Sequence, residues 1–250
     1  MGLGCYYLMR GDPDQAIELL EEARHIGHEM NDRRLQGSAL HWRGIYLRGH
    51  GQLAQAQATL EQVLGIFQGI GNALGEGNVL NELGILERYA GHHDESLALH
   101  QRALEIGQRI SNQELQCHTF SCLGHTYVAK ARLFQAQAAY EQALERADGS
   151  QPQQKLHPLS GLAQIAAIRN EPESTKKLFQ EIKAILNIRE LNSAEDPQSF
   201  LQNVQQALGL VHDEELARIS DTIAEKVTSS SFVSKSLTPA DNISLISIRR

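Results

Sequence analysis

Glycine returns in this chain at a fixed interval, and that interval limits the fold more than any other feature. Gly4, Gly44, Gly84 and Gly124 are spaced 40 residues apart, as are Gly11, Gly51 and Gly91, whose column Ala131 completes. Other positions keep the same step: Ala16, Ala56, Ser96 and Ala136; Ala23, Val63, Ala103 and Ala143; Asp32, Asn72 and Asn112. A further copy runs one residue short, with Ala163 standing 39 after Gly124 and Asn170 standing 39 after Ala131. Self-similarity of this kind is the signature of a solenoid, in which each unit buries its apolar face against the next.

Each column has a physical reading. A glycine inside a helix costs roughly 1 kcal/mol relative to alanine. The Gly4 column is therefore read as close approach, with a second helix packed where a side chain would stand. The Ala16 and Ala23 columns are small for the same reason on the partner helix. The Gly11 column marks where the first helix of each pair ends in left-handed backbone, a role Asn170 can also fill. Asp12, Pro13 and Gln15 read as cap, first turn and capping box of the helix that follows. Pro172 repeats Pro13 in the shortened copy. Asp32, Asn72 and Asn112 read as N-caps of the next first helix. Apolar spacing between these marks is helical, as in Leu60, Val63, Leu64 and Phe67 or Tyr140, Ala143, Leu144 and Ala147. The expectation is an all-α chain of five helical hairpins over residues 1–187, with turns at Gly11, Gly51, Gly91, Ala131 and Asn170.

The residues "Leu3-Gly4-x-x-Tyr7" followed by "Ala16-x-x-x-Leu20" resemble the tetratricopeptide repeat, as do "Leu80-x-x-Leu83-Gly84" and "Phe120-x-x-Leu123-Gly124-x-x-Tyr127" with "Ala136-x-x-x-Tyr140". The common form has about 34 residues, so a 40-residue unit implies longer helices. The long form is similar to the repeats of kinesin light chain and to the sensor regions of bacterial signal-transduction ATPases and maltose-regulator-type activators; Ala103–Asn112 is phrased most like the bacterial set. The resemblance implies a right-handed superhelical solenoid of antiparallel helix pairs. The chain departs from the pattern at Glu87, which stands where Tyr7 and Tyr127 stand, and at Ser96 and His100, which replace the usual small-then-large pair. HEAT and armadillo arrays have similar periods, but the Leu-Gly and Ala columns favour tetratricopeptide repeats. The first copy is read as incomplete, with most of its first helix missing. Residues 188–227, with Phe200, Val204, Leu208, Leu216, Ile219 and Ile223 at helical spacing, are expected to cap the solenoid. The serine-rich residues 228–250 are expected to be disordered, or to offer Ile243, Leu245, Ile246 and Ile248 as a docking strand.

Composition narrows the function. The chain has 250 residues, 41% of them hydrophobic, and a net charge of −7 from 23 basic and 30 acidic side chains. That is enough apolar material for a core, and it implies no broad basic surface for nucleic acid. No apolar run approaches the length of a membrane span, and "MGLGCYYLMRGD" has neither the basic start nor the apolar stretch of a secretory signal. Tyr6 occupies the place where myristoylation needs Ser or Thr. Cys5, Cys117 and Cys122 are an odd number without disulfide spacing, which suits a reducing, cytoplasmic compartment.

No phosphate loop, nucleophile elbow or His-Glu-x-x-His motif is present, so the chain is not expected to be an enzyme or to need a cofactor. His92-His93 reads as a solvated turn. His118 and Cys122 stand four apart and His125 three further on, but two imidazoles make a poor metal site. Cys122, beside the packing pair Leu123-Gly124, reads as a small apolar group facing the partner helix, and no metal is expected.

The expected binding surface is the other face of the first helices. Its repeats are Ser38, His41, Ile45 and Arg48; Asn78, Asn81, Ile85 and Arg88; His118, Ser121, His125 and Val128. By the resemblance, this face lines a concave groove for a protein or peptide, and Asn81 matches an asparagine that long-form repeats use to hold an extended backbone. Arg48 and Arg88 add two cations suited to carboxylates. The expected ligand set is therefore His41, Arg48, Asn78, Asn81, Arg88, His118 and His125. The expected partner is an extended acidic segment, with a homodimer through the N-terminal end, around Tyr6, Tyr7 and Leu20, as a further contact. The alternatives are a small-ligand or peptide sensor domain and, last, an enzyme with an unrecognised site.

Overall fold

Helices of 17 residues alternate with three-residue connections, and two of each make up the 40-residue period. The protein is described here by a computed structural model covering residues 13–169 and 171–188. The helices are α1 (Pro13–Glu29), α2 (Arg33–Gly49), α3 (Leu53–Gly69), α4 (Ala73–Tyr89), α5 (His93–Arg109), α6 (Gln113–Ala129), α7 (Leu133–Arg146), α8 (Leu156–Ile168) and α9 (Pro172–Ile188), with a short 3-10 turn at Pro152–Lys155. No strand occurs among the described residues. The turns expected at Gly11 and Asn170, the partial first helix, Tyr6 and Tyr7 of the N-terminal contact, the capping helices and the tail lie outside the described residues; Leu20, expected to be exposed in that contact, is instead buried at 2% exposed.

Local chemistry sets the boundaries as the columns require. Gly51, Gly91 and Ala131 hold left-handed backbone, with φ of 72°, 84° and 55°. Each is followed by a residue whose N–H reaches back five positions: Gln52 to Leu47, His92 to Glu87, Arg132 to Tyr127. This pattern satisfies carbonyls that the helix end leaves open. The side chains of Asp32, Asn72 and Asn112 accept from the N–H groups of Leu35, Gly75 and Leu115 at 3.0, 3.1 and 2.7 Å, starting α2, α4 and α6. A second left-handed column, Asn31, Gly71 and Ser111, precedes these caps. It is not apparent from the sequence, because only one of the three is glycine.

The Gly4 column is a contact column. A Cβ on Gly44 would stand 2.7 Å from Leu60 Cδ2, and one on Gly84 would stand 2.5 Å from His100 Cε1. At Gly124 it would run into the Tyr140 ring. Leu60, His100 and Tyr140 share one repeat position and are fully buried. Around them Ala56, Ser96 and Ala136, then Val63, Ala103 and Ala143, are all 0% exposed. Thr175 and Ile182, the counterparts in the shortened copy, are also 0% exposed. The missing residue is absorbed between α7 and α8. There α7 ends early, Ala147 turns extended, and Asp148 accepts from Ser150 N and Oγ at 2.9 and 2.7 Å.

The result is an all-α superhelical solenoid of antiparallel pairs. Every helix packs on its neighbours in sequence, and α2, α4, α6 and α8, the first helices, also touch in succession. The second helices have no comparable contact with each other. Crowded first helices and spread second helices put the first helices on the inner side of the curve.

Candidate functional site

The inner face is built on a polar floor. Arg48 of α2 donates through Nε to Glu82 Oε2 of α4 at 3.0 Å, with the two side chains 5% and 9% exposed. The pair bridges successive first helices. Removing either partner would leave a buried charge, which is where such pairs matter most.

A directional chain of hydrogen bonds crosses the next interface. Thr119 Oγ1 donates to the carbonyl of Leu115 at 2.7 Å. It accepts from Asn81 Nδ2 at 2.8 Å. Asn81 Oδ1 therefore accepts from His100 Nδ1 at 3.0 Å, which assigns the proton of His100 to Nδ1. Asn81, His100 and Thr119 are each 0% exposed. Burial first, and then the charge of Arg88, pushes the pKa of His100 down to about 3, so it stands neutral. Ser96 bonds Thr126 at 3.0 Å in the same layer. The polar residues that break the repeat pattern at Ser96 and His100 thus find polar partners on α6 and α4, His100 through Nδ1 only, its buried Nε2 having no hydrogen-bond partner.

Three first helices close a pocket above this floor. α4 supplies Ile85 and Arg88, α6 supplies His118, Ser121, Cys122 and His125, and α8 supplies His157, around a small, half-open cavity of about 20 Å³. His118 Nε2 lies 3.7 Å from Cys122 Sγ. His125 bonds Tyr140 Oη through Nδ1 at 2.8 Å and stands edge-on to His157, ring centres 5.9 Å apart. Arg88 lays its guanidinium over the Tyr89 ring at 4.7 Å, and its buried Nε has no hydrogen-bond partner. Burial lowers the pKa of His118 and of His41, against an opposing pull from Glu82 on both.

The residues expected to line a groove therefore divide. Arg88, His118 and His125 meet in the pocket with Ile85 and Ser121. Asn78 and His41 are half-buried on the same face. Arg48 and Asn81 lie beneath it, Arg48 held by Glu82 and Asn81 by Thr119 and His100. Cys122, at the repeat position of Glu82, lines the pocket between successive first helices. Cys117 is directed elsewhere, toward the carbonyl of Gln154 at 3.8 Å. His92 caps α5 at the surface, its Nδ1 2.8 Å from Glu87 Oε2. Among the described residues, no helix is long and apolar enough to cross a membrane.

Residues 35–109 match the family model for the tetratricopeptide repeat. These are tetratricopeptide repeats. The solenoid as a whole is similar in fold to the crystal structure of BtubC (BKLC) from P. vanneervenii. The TM-score is 0.59 at 16% identity, over 88% of this chain and 89% of that one. It is also similar to the nearly identical TPR-like repeats of a putative kinesin light chain from Podosopora anserina, at TM-score 0.53 and 20% identity, over 74% of this chain and 92% of that one. A single-residue variant of the latter gives a TM-score of 0.54 at 20% identity, over 74% and 91%. At these identities the likeness is one of fold. A search of curated proteins finds no match.

Tetratricopeptide repeats, such as those matched at residues 35–109, generally mediate protein–protein interaction. Two groups of the site were not read from the sequence. His157 stands 39 residues after His118, so the register of the shortened copy would have found it. Glu82, Thr119 and His100 carry a subtler signal: a polar residue in a column otherwise apolar requires a partner in the adjoining layer.

Proposed function

We propose that this chain is a non-catalytic interaction scaffold whose concave face holds an extended, acidic segment of a protein partner. The observation that carries the reading is Arg88. It is a cation on the inner face, aligned by Tyr89, with no carboxylate paired to it among the described residues. Asn78, His118 and His125 flank it on the same face and would contact the segment. Arg48 and Asn81 would serve by fixing the floor, since reaching a ligand would require them to release buried partners. The buried thiols of Cys117 and Cys122, neither in a disulfide, support a reducing, cytoplasmic setting for it.

The test is selection from a displayed peptide library, followed by Arg88→Glu with its fold checked by circular dichroism. Acidic peptides should be enriched, and the charge reversal should weaken them at least tenfold. Undiminished capture would place the ligand elsewhere.

A second reading is a sensor of a small molecule, for which the groove would have to open, since the cavity of about 20 Å³ has room for little more than a water. That reading predicts a melting temperature that rises with ligand concentration.

A further inference from the structure

We propose that the pocket between α4, α6 and α8 is a subsite for a phosphoryl group, the tetrahedral oxyanion of a phosphorylated side chain on the segment the groove holds. The segment rests on the groove reading; the oxyanion does not, because inorganic phosphate alone can be offered to the pocket.

The chemistry of the lining carries the inference. In a chain of net charge −7, the described residues that line the pocket include one arginine and three histidines and no carboxylate. Two acids have fields that reach His118: Glu82, which is held by Arg48, and Glu114, in the first turn of α6; neither lines the pocket. The Nε of Arg88 is buried and without a hydrogen-bond partner, while Tyr89 fixes the plane of the guanidinium. An arginine so aligned offers a fork that matches phosphate oxygens. The imidazoles of His118, His125 and His157 stand on two other walls. Each can present an N–H by choice of tautomer. Donors on three walls suit a group with oxygens directed tetrahedrally. A planar carboxylate would use the Arg88 fork and leave the imidazoles unaddressed. Ile85 and the buried Cys122 close the wall behind, so the oxyanion would be partly desolvated, where charge-assisted bonds are strongest.

The experiment is a titration of the whole chain with inorganic phosphate, followed through the imidazole resonances by NMR. The expected result is a saturable shift of the His118, His125 and His157 signals, with His25 and His28 on α1 unaffected. Arg88→Gln should weaken phosphate at least tenfold while retaining the thermal melt. Arg88→Lys, which keeps the charge and loses the fork, should fall between. Arg109→Gln, on the exposed end of α5, should bind as the parent does. Absence of a saturable shift, or affinity unchanged in a folded Arg88→Gln, would overturn the proposal. So would acetate binding as tightly as phosphate, because the site would then select carboxylates. If phosphate fails while selected acidic peptides still bind, only this subsite falls. If phosphate binds and no peptide does, the groove reading falls instead.

Discussion

At the scale of single residues, the repeat is a set of steric and hydrogen-bonding requirements. Gly84 and Gly124 leave room for the rings of His100 and Tyr140. Replacing either glycine by leucine should destabilise the chain by about 3 kcal/mol, since overpacking at a helix contact forces both elements apart; urea unfolding measures it, and unchanged midpoints would deny the contact. Asn81 is the clearest lesson in what one residue can conceal. Its repeat position lies on the inner face, and the resemblance suggested a backbone clamp. The structure spends both ends of its amide on Thr119 and His100. Asn81→Ala should therefore lower stability by about 3 kcal/mol, because two buried polar groups lose their partner. Calorimetric melting would show it, and a stable variant defective only in binding would contradict it. Ala131 holds φ of 55° where Gly51 and Gly91 stand in other copies. Ala131→Gly should stabilise by about 0.5 kcal/mol, the relief of left-handed strain less the entropy of glycine, measured by the same unfolding curves.

Among the elements, caps and turns were the most legible part of the sequence. Asp32, Asn72 and Asn112 cap α2, α4 and α6, and Gly51, Gly91 and Ala131 close the helices before them. These features are local, so spacing and residue type determine them. Asn112→Ala should cost about 1 kcal/mol, with hydrogen exchange accelerating first at the start of α6; exchange unchanged there would remove the cap from the account. The lateral packing of first helices was less legible. Which side of a helix faces solvent depends on how closely α4 approaches α2 and α6, and that is set by the curvature of the stack. Hence Arg48 and Arg88, one period apart, have different fates. Glu82 of α4 meets Arg48, while the equivalent position beside Arg88 is Cys122, which offers no charge. One substitution in the next layer converts a buried ion pair into an available cation.

For the whole molecule, the buried histidines tie stability to pH. Burial lowers the pKa of His41, His100 and His118, that of His100 to about 3. In the unfolded chain each titrates near 6.5. Above that value both states are neutral and the groups contribute nothing to the pH dependence. Below it the unfolded chain binds protons that the folded chain refuses, so stability falls with acidification. The slope reaches about 1.4 kcal/mol per pH unit for His100, and His41 and His118 add to it in the same direction. Melting temperature should decline from pH 6.5 downward, and His100→Gln should flatten the decline; a flat profile in the parent would contradict it. The central claim is that partners bind on the inner face of the first helices. Hydrogen exchange measured with and without a selected acidic peptide tests it most directly. The account predicts slowed exchange in α4 and α6, centred on Arg88 and His125, with α3, α5 and α7 unchanged. Slowing confined to α3, α5 and α7 would place the partner on the outer face and contradict it.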